Sequence, residues 1–128
     1  MKKFELLFLF LCFAFPALSS EVCDDVGSAI RAGDAKQVAS YFNVNIDLTL
    51  INQEDVYSKA QAELLVKDFF IKNAPKSFSI AHKVSSHEGT LFAIGTLVTV
   101  SGKTYRVSFT LKNSQGKYVL QELRFEPQ

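Results

Sequence analysis

The sequence predicts an α+β domain in which a strongly curved, mostly antiparallel sheet wraps around a long helix. The first observation is a run of four strand-like segments between residues 77 and 126, separated by the turn compositions SHEG, SG and NSQG. The second is a well-bounded helix that precedes them. Because a sheet of consecutive hairpins twists strongly, we expect it to close into a cone over that helix. The predicted order is two helices, a strand, a helix and four strands, ααβαββββ.

The N-terminal segment reads as a secretory signal peptide. Two lysines precede an apolar run at residues 6–15, Pro16 ends the run, and small residues follow. The run is shorter than the roughly 20 residues that a membrane-spanning helix needs. We therefore assign residues 1–19 to a signal peptide, cleaved after Ser19 or, as the close alternative, one residue later. An uncleaved membrane anchor is the other interpretation.

Cleavage leaves one domain, residues 20–128, of a size that forms a single core. Removal of Lys2, Lys3 and Glu5 from 14 Lys+Arg and 13 Asp+Glu leaves 12 of each. This neutral chain has no concentrated basic surface, so we expect no nucleic-acid partner. We expect a secreted or periplasmic protein with no membrane span after signal cleavage. Cys23 then has no intramolecular disulfide partner, and a small buried residue is its expected role.

Two helices and a strand open the domain. Apolar residues recur at helical spacing over residues 22–30, and Gly33 follows where a left-handed residue ends a helix. Asp34 is the predicted N-cap of the second helix, with Gln37 at the capping-box position. Residues 44–51, VNIDLTLI, alternate between apolar and polar side chains, which predicts a half-buried strand.

The third helix has clear boundaries. Ser58 and Gln61 form a capping-box pattern, and Pro75 ends the helix shortly after Asn73. Its apolar residues fall on two sides: Ala62, Leu65, Val66 and Phe69 on one, and Ala60, Leu64 and Ile71 on the other. A helix with two apolar sides is packed from two directions, so we expect it between the sheet and the first two helices.

Alternation along the strands predicts which side chains face this helix. In TYRVSFTL the apolar set begins at Tyr105 and must face inward. A two-residue turn at Ser101-Gly102 would pair Val98 with Tyr105. The predicted lining of the interior is then Leu65, Phe69, Phe78, Ile80, His82, Ile94, Thr96, Tyr105, Val107, Phe109, Gln121 and Leu123. The same register turns an apolar strip outward, made of Leu91, Ala93, Gly95, Leu97, Tyr118 and Leu120.

The order of elements, the opening AIRAGDAKQVASYF and the enclosed third helix resemble the NTF2-like, cystatin-like-roll superfamily. VYSKAQAELLVKDFFIKNAPKSFSIAHK, with AIGTL and GKYVLQELRFE, is similar to a family of small secreted bacterial proteins known only as a domain of unknown function. The resemblance implies the fold. The superfamily includes ketosteroid-isomerase-type enzymes, dehydratases and cyclases, as well as members that only bind or dimerise, so it leaves the function open.

His82 is the weak catalytic candidate, because it alternates with apolar residues and an imidazole in an apolar cavity could exchange protons. No orienting carboxylate can be placed beside it, and a satisfied strand-end histidine is the competing interpretation. The histidines and the cysteine show no metal-ligand spacing, and glycine-rich phosphate loops are absent from the sequence. We therefore expect no metal and no cofactor.

The expected function is that of a non-enzymatic binding or dimerising module with an apolar cavity. Its expected partners are a second copy of the chain, docked on the outer sheet face, and a small apolar ligand. The alternative is a small-molecule isomerase or dehydratase of the ketosteroid-isomerase type that uses His82 with Tyr105 or Gln121.

Overall fold

The computed structural model describes residues 15–86 and 88–128, so most of the predicted signal peptide lies outside the described residues. The elements, in chain order, are α1 (Phe15–Ala32), α2 (Ala35–Ala39), β1 (Phe42–Leu50), β2 (Gln53–Ser58), α3 (Lys59–Lys72), β3 (Pro75–Ser85), β4 (Thr90–Thr99), β5 (Thr104–Ser114) and β6 (Lys117–Pro127). Within the described ranges, none of the helices combines the length and the apolar character that crossing a membrane requires.

Six strands form one curved sheet in the order β2-β1-β6-β5-β4-β3. β1 runs parallel to β6, and the other neighbouring strands are antiparallel. The α+β class and the curved, mostly antiparallel sheet are thus confirmed. The sheet has one strand more than the sequence predicted, because β2 follows β1 directly. Its sequence, QEDVYS, is largely exposed at the sheet edge and lacks the apolar alternation that would have revealed it.

The predicted helix boundaries are confirmed. Gly33 has a φ of +65° after α1, and the Asp34 side chain accepts a hydrogen bond from the backbone N–H of Gln37 at 3.0 Å. Ser58 and Gln61 form the reciprocal capping box of α3. These signals are local, so the sequence alone places them correctly.

The helix α3 is covered on one side only, which corrects the prediction that it packs from two directions. Ala62, Val66 and Phe69 are buried, but Leu64 and Ile71 are 67% and 71% exposed. α2 packs against α3 but is only five residues long, and α1 contacts β3 and β4 instead of covering the remaining flank of α3. α3 therefore lies on the sheet with one flank in solvent.

Aromatic side chains fill the space between α3 and the sheet. The ring of Phe69 lies 5.2 Å from that of Tyr105 and 4.6 Å from that of Phe125, centroid to centroid. The hydroxyl of Tyr105 donates to Oδ1 of Asn73 at 2.8 Å, and the amide of Asn73 donates to the carbonyl of Phe69 at 3.1 Å. Phe109 and Phe125 have no exposed surface at all. A void that admits water would expose the side chains around it, so the predicted apolar cavity is instead a packed core.

The strand β4 presents the opposite face to the one predicted. The β4–β5 hairpin pairs Leu97 with Tyr105 and Val98 with Thr104, whereas a two-residue turn would have paired Val98 with Tyr105. The backbone N–H of Thr99 donates to the carbonyl of Lys103 at 2.9 Å, so the loop between these two paired residues has three residues, 100–102. Gly102 in this loop takes a φ of +91°. A shift of one residue moves a strand's whole apolar set to the other face. Ile94 and Thr96 therefore point away from the core, contrary to the prediction.

Irregularities in β3 and β6 change the alternation again. In β3 the register shifts between Ile80 and His82, which leaves Ala81 as an extra residue and sends His82 outward. In β6 the register with β5 shifts by one residue, because Thr110 pairs with Glu122 but Leu111 pairs with Leu120. Gln121 becomes the extra residue and is exposed, and the inward position predicted for it is wrong.

Candidate interaction face

The outer face of the sheet, opposite the helices, carries an apolar patch on its β3–β4 half. This outer apolar patch consists of Val84, Phe92, Ile94 and Val98. Val84 is 59% exposed, and the three β4 residues are partly exposed. Val84 lies opposite Phe92 in the ladder, so the apolar surface spans both strands there, and Thr96 lies between Ile94 and Val98 on the same face.

Polar residues of β5 border the outer apolar patch. Thr110 lies opposite Phe92, Ser108 lies opposite Ile94, and Thr104 lies opposite Val98. Ser108 is only 8% exposed although no helix covers this face, so its neighbours shield it. The result is an apolar surface with a hydroxyl-rich border.

The β2–β1–β6 half of the outer face carries three carboxylates. Asp47 of β1 pairs with Glu122 of β6, and Glu54 of β2 pairs with Thr49 of β1. One oxygen from each of Asp47, Glu54 and Glu122 lies within 4.8 Å of the others. We call these three residues the carboxylate cluster.

The pKa of the Glu54 carboxyl is raised, mainly because it hydrogen-bonds to Asp47 and also because it lies near that residue's charge. Arg124 acts in the opposite direction. Two oxygens at this place are inaccessible to solvent and have no hydrogen-bond partner within the described residues, Oδ1 of Asp47 and Oγ1 of Thr49. Unpaired buried oxygens are uncommon and costly in folded proteins.

The residues predicted to line a cavity are divided among three environments. Six of them are buried in the packed core: Phe69, Phe78, Tyr105, Val107, Phe109 and Leu123. Leu65 and Ile80 are partly buried against it. Ile94 and Thr96 lie on the outer face, and His82 and Gln121 are exposed.

His82 does not meet its predicted catalytic partners. It is exposed and lies opposite Ile94 on the outer face, whereas Tyr105 is buried on the inner face. Gln121 is on β6, three strands away in the sheet order. The geometry therefore gives no support to an isomerase or dehydratase site built on these three residues.

The predicted outward strip is mostly interior, and this placement is wrong. Leu91, Ala93, Leu97 and Leu120 are at most 7% exposed. Gly95 is buried in the same row, and Tyr118 is partly buried against the core. The outer face of β4 is instead formed by the side chains that alternate with these.

Comparison with known proteins identifies the family. The profile described as Domain of unknown function (DUF4783) matches residues 23–126. The chain belongs to the DUF4783 family. A crystal structure of a DUF4783 family protein from Bacteroides ovatus has 27% identity and a TM-score of 0.76, over 81% of this chain and 93% of that one. No curated protein matches the chain.

More distant structures show that the fold is NTF2-like. A designed NTF2-type protein is 12% identical, with a TM-score of 0.66 over 84% of this chain and 96% of its own. A protein from Xanthomonas campestris, named as a calcium/calmodulin-dependent protein kinase II association domain, is 17% identical. Its TM-score is 0.62, over 85% of this chain and 84% of its own. The predicted NTF2-like fold is confirmed.

In this DUF4783 domain Cys23 is a buried core residue, 2% exposed, as predicted. Burial raises the pKa of its thiol, against a smaller opposing effect of Lys83. A thiol that stays protonated is a poor nucleophile. Cys23 therefore contributes packing.

The helical side of the domain carries shallow clefts. The one of about 600 Å³ lies between the α1–α2 turn and α3 and is lined by residues that include Lys36, Glu63 and Ile71. Another, of about 560 Å³, lies beside Tyr41 and Tyr118. Neither is lined by His82 or by the residues predicted to form a cavity.

The outer apolar patch and the carboxylate cluster were both missed by sequence reasoning. The patch was assigned to the core because the loop length was misjudged. The cluster joins residues 47, 54 and 122 from three strands, and β2 was not predicted. Only the parallel pairing of β1 with β6 brings Asp47 beside Glu122.

Proposed function

We propose that this DUF4783 domain is a non-catalytic interaction module that forms a homodimer through the outer face of its sheet. The observation that carries the proposal is the outer apolar patch, a group of solvent-accessible apolar side chains on the face that the described helices do not cover. Single exposed apolar residues are ordinary on protein surfaces, whereas contiguous apolar patches mark contact sites. The packed core favours contact at the surface over a ligand inside.

The face is large enough for a stable contact. Five gaps between six strands span about 24 Å, and ten residues of strand span about 33 Å. Their product, about 800 Å², is the area of the whole outer face, and each partner of a standard interface contributes an area of about this size. A twofold pairing would place the outer apolar patch of one copy on that of the other. The association domain from Xanthomonas campestris has the same fold, which is compatible with association through it.

The test is the mass of the protein in solution, measured by light scattering and analytical ultracentrifugation. We expect a dimer for the unmodified domain. Ile94→Glu places a charge at the centre of the contact and should weaken dimerisation by about thirtyfold or more, the effect of losing an interface hot spot. Leu64→Glu is the matched control, because Leu64 is equally apolar and 67% exposed, but on α3.

Three results would contradict the proposal. The unmodified domain could stay monomeric at millimolar concentration. Ile94→Glu could leave the dimer intact while circular dichroism shows a folded protein. Leu64→Glu could dissociate the dimer as strongly, which would assign the contact to the helical side.

We also propose that residues 1–19 are removed and that the domain acts outside the cytoplasm. The buried residues of α1 that the structure describes, Cys23, Val26, Ala29 and Ile30, all follow the proposed cleavage point. Cleavage after Ser19 therefore leaves these four buried residues in the mature chain. An exported protein whose intact mass includes the first 19 residues would contradict this proposal.

A further inference from the structure

The carboxylate cluster lies on the opposite half of the outer face from the outer apolar patch. Asp47, Glu54 and Glu122 come from three adjacent strands, β1, β2 and β6, so their backbone positions are fixed by ladder hydrogen bonds. Their oxygens lie within 4.8 Å of one another. Carboxylates this close repel unless a proton or a cation lies between them.

A second, independent observation is the hydroxyl of Thr49. Thr49 is on the same strand and the same face as Asp47, and its neighbours in the ladder are Glu54 and Arg124. Its side chain is 95% buried, since only 5% is exposed, and its Oγ1 has no partner among the described residues. The ladder therefore places Thr49 on the same face as the cluster, directly opposite Glu54 and two residues from Asp47, with a buried hydroxyl that lacks a partner among the described residues.

The charge around the cluster is negative. Arg124 is the neighbouring cation on β6, and its Nε lies 3.5 Å from Oε1 of Glu126. This Nε makes no hydrogen bond within the described residues, so Glu126 and the three carboxylates of the cluster lie around one cationic side chain.

We propose that Asp47, Glu54, Glu122 and the hydroxyl of Thr49 bind a divalent cation, Ca²⁺. All the donors are oxygens, which hard cations prefer over the nitrogen and sulfur ligands of zinc or copper. Ca²⁺ accepts irregular arrangements of carboxylates and water, whereas Mg²⁺ requires a near-ideal octahedron.

The test is titration of the unmodified domain with CaCl₂, followed by calorimetry and by thermal unfolding. We expect a dissociation constant of about 10⁻⁴ to 10⁻³ M, in the range of weak calcium sites. At ten times that concentration, the unfolding temperature should rise by about 5 °C. Binding should tighten between pH 5 and pH 7, because the cation displaces a proton.

Two variants test the assigned ligands. Glu122→Gln removes one charge and should abolish the heat of binding. Thr49→Val keeps the shape and removes the hydroxyl, so calcium affinity should fall by about tenfold. Without calcium, Thr49→Val should be at least as stable as the unmodified domain, because it removes an unpaired buried group. Unchanged or higher stability without calcium, together with weaker calcium binding, distinguishes a ligand from a purely structural residue.

Asp55→Asn is the matched control, because Asp55 is next to Glu54 but alternates to the other face of β2. It should bind calcium like the unmodified domain. No heat and no thermal shift at 10 mM CaCl₂ would overturn the proposal. So would an equal loss of binding in Asp55→Asn, which would indicate diffuse attraction to an acidic edge. Unchanged affinity in Thr49→Val would remove Thr49 from the site.

Discussion

Gly95 shows how a single residue permits the curvature of the sheet. A side chain at this position would overlap the carbonyl oxygen of Ser79 and would come within 3.0 Å of Cα of Ile80 and of the Phe78 ring. The strand β3 folds over β4 here, just before the register shift at Ala81. Close approach of two backbones explains the glycine in the middle of a strand.

We predict opposite effects for the same substitution at two glycines. Gly95→Ala should lower the free energy of unfolding by about 1–3 kcal/mol, because backbone atoms must move to admit the methyl group. Gly27→Ala should raise it by about 0.5–1 kcal/mol, because alanine favours the helix. The new methyl there would meet side chains and no backbone: the end of the flexible Ile80 side chain at 3.2 Å and the edge of the Phe78 ring at 3.4 Å.

Urea unfolding curves of the two variants and of the unmodified domain measure both effects. A Gly95→Ala variant as stable as the unmodified domain would show that β3 does not approach β4 this closely. A strongly destabilised Gly27→Ala variant would show that α1 and Ile80 cannot adjust.

At the scale of elements, the sequence predicts best what local contacts decide. The N-caps Asp34 and Ser58, and the left-handed Gly33, lie within a few residues of the groups that they satisfy. The inward set of β5, which begins at Tyr105, is apolar at every second position, and its orientation was predicted correctly.

Which face the other strands turn toward the core depends on the length of a loop and on single inserted residues. The alternation of apolar and polar residues in the sequence does not reveal either. One extra loop residue reversed β4, and extra residues at Ala81 and Gln121 reversed parts of β3 and β6. Each of these strands carries apolar residues on both faces, as Phe92 and Ala93 show, so alternation alone cannot choose between them. The candidate site on the outer face could not be predicted for this reason.

We predict that the two flanks of α3 respond differently to mutation. Leu64→Gln and Ile71→Gln should change the free energy of unfolding by less than about 0.5 kcal/mol, because both side chains are exposed. Val66→Ala and Phe69→Ala should lower it by about 1–2 and about 3–5 kcal/mol, because both side chains are buried in the core.

Equilibrium denaturation of the four single variants gives these values. A loss above 2 kcal/mol in Leu64→Gln or Ile71→Gln would mean that something covers the outer flank of α3 in solution. That result would support the prediction from the sequence that α3 is packed from two directions.

For the molecule as a whole, both proposed contact sites lie on the side of the sheet that the described helices leave open. The helices and the aromatic cluster close the inner face, where Phe109, Leu123 and Phe125 have no exposed surface. The outer face combines the outer apolar patch at one edge with the carboxylate cluster at the other. Stability and contact with partners are thus assigned to opposite faces of one sheet.

The contact between Asp47 and Glu54 on the outer face predicts that the stability of the domain depends on pH. The folded protein holds a proton on Glu54 more tightly than the unfolded chain does, because the neighbouring Asp47 raises the pKa of Glu54 above its ordinary value of 4.5. The stability gained from this proton is fully present below pH 4.5 and is lost as the pH rises through the raised pKa of the folded state. Deprotonation leaves two charged carboxylates in contact.

We predict that Glu54→Gln removes this loss. The amide still donates a hydrogen bond to Asp47 but carries no charge, so the variant should gain stability over the unmodified domain as the pH rises from 4 to 7. Urea unfolding at several pH values, with a chelator present to exclude cations, measures the difference. Asp55→Asn, on the other face of β2, should show no such trend. A difference between Glu54→Gln and the unmodified domain that is flat, or that falls with rising pH, would show that Asp47 does not raise the pKa of Glu54.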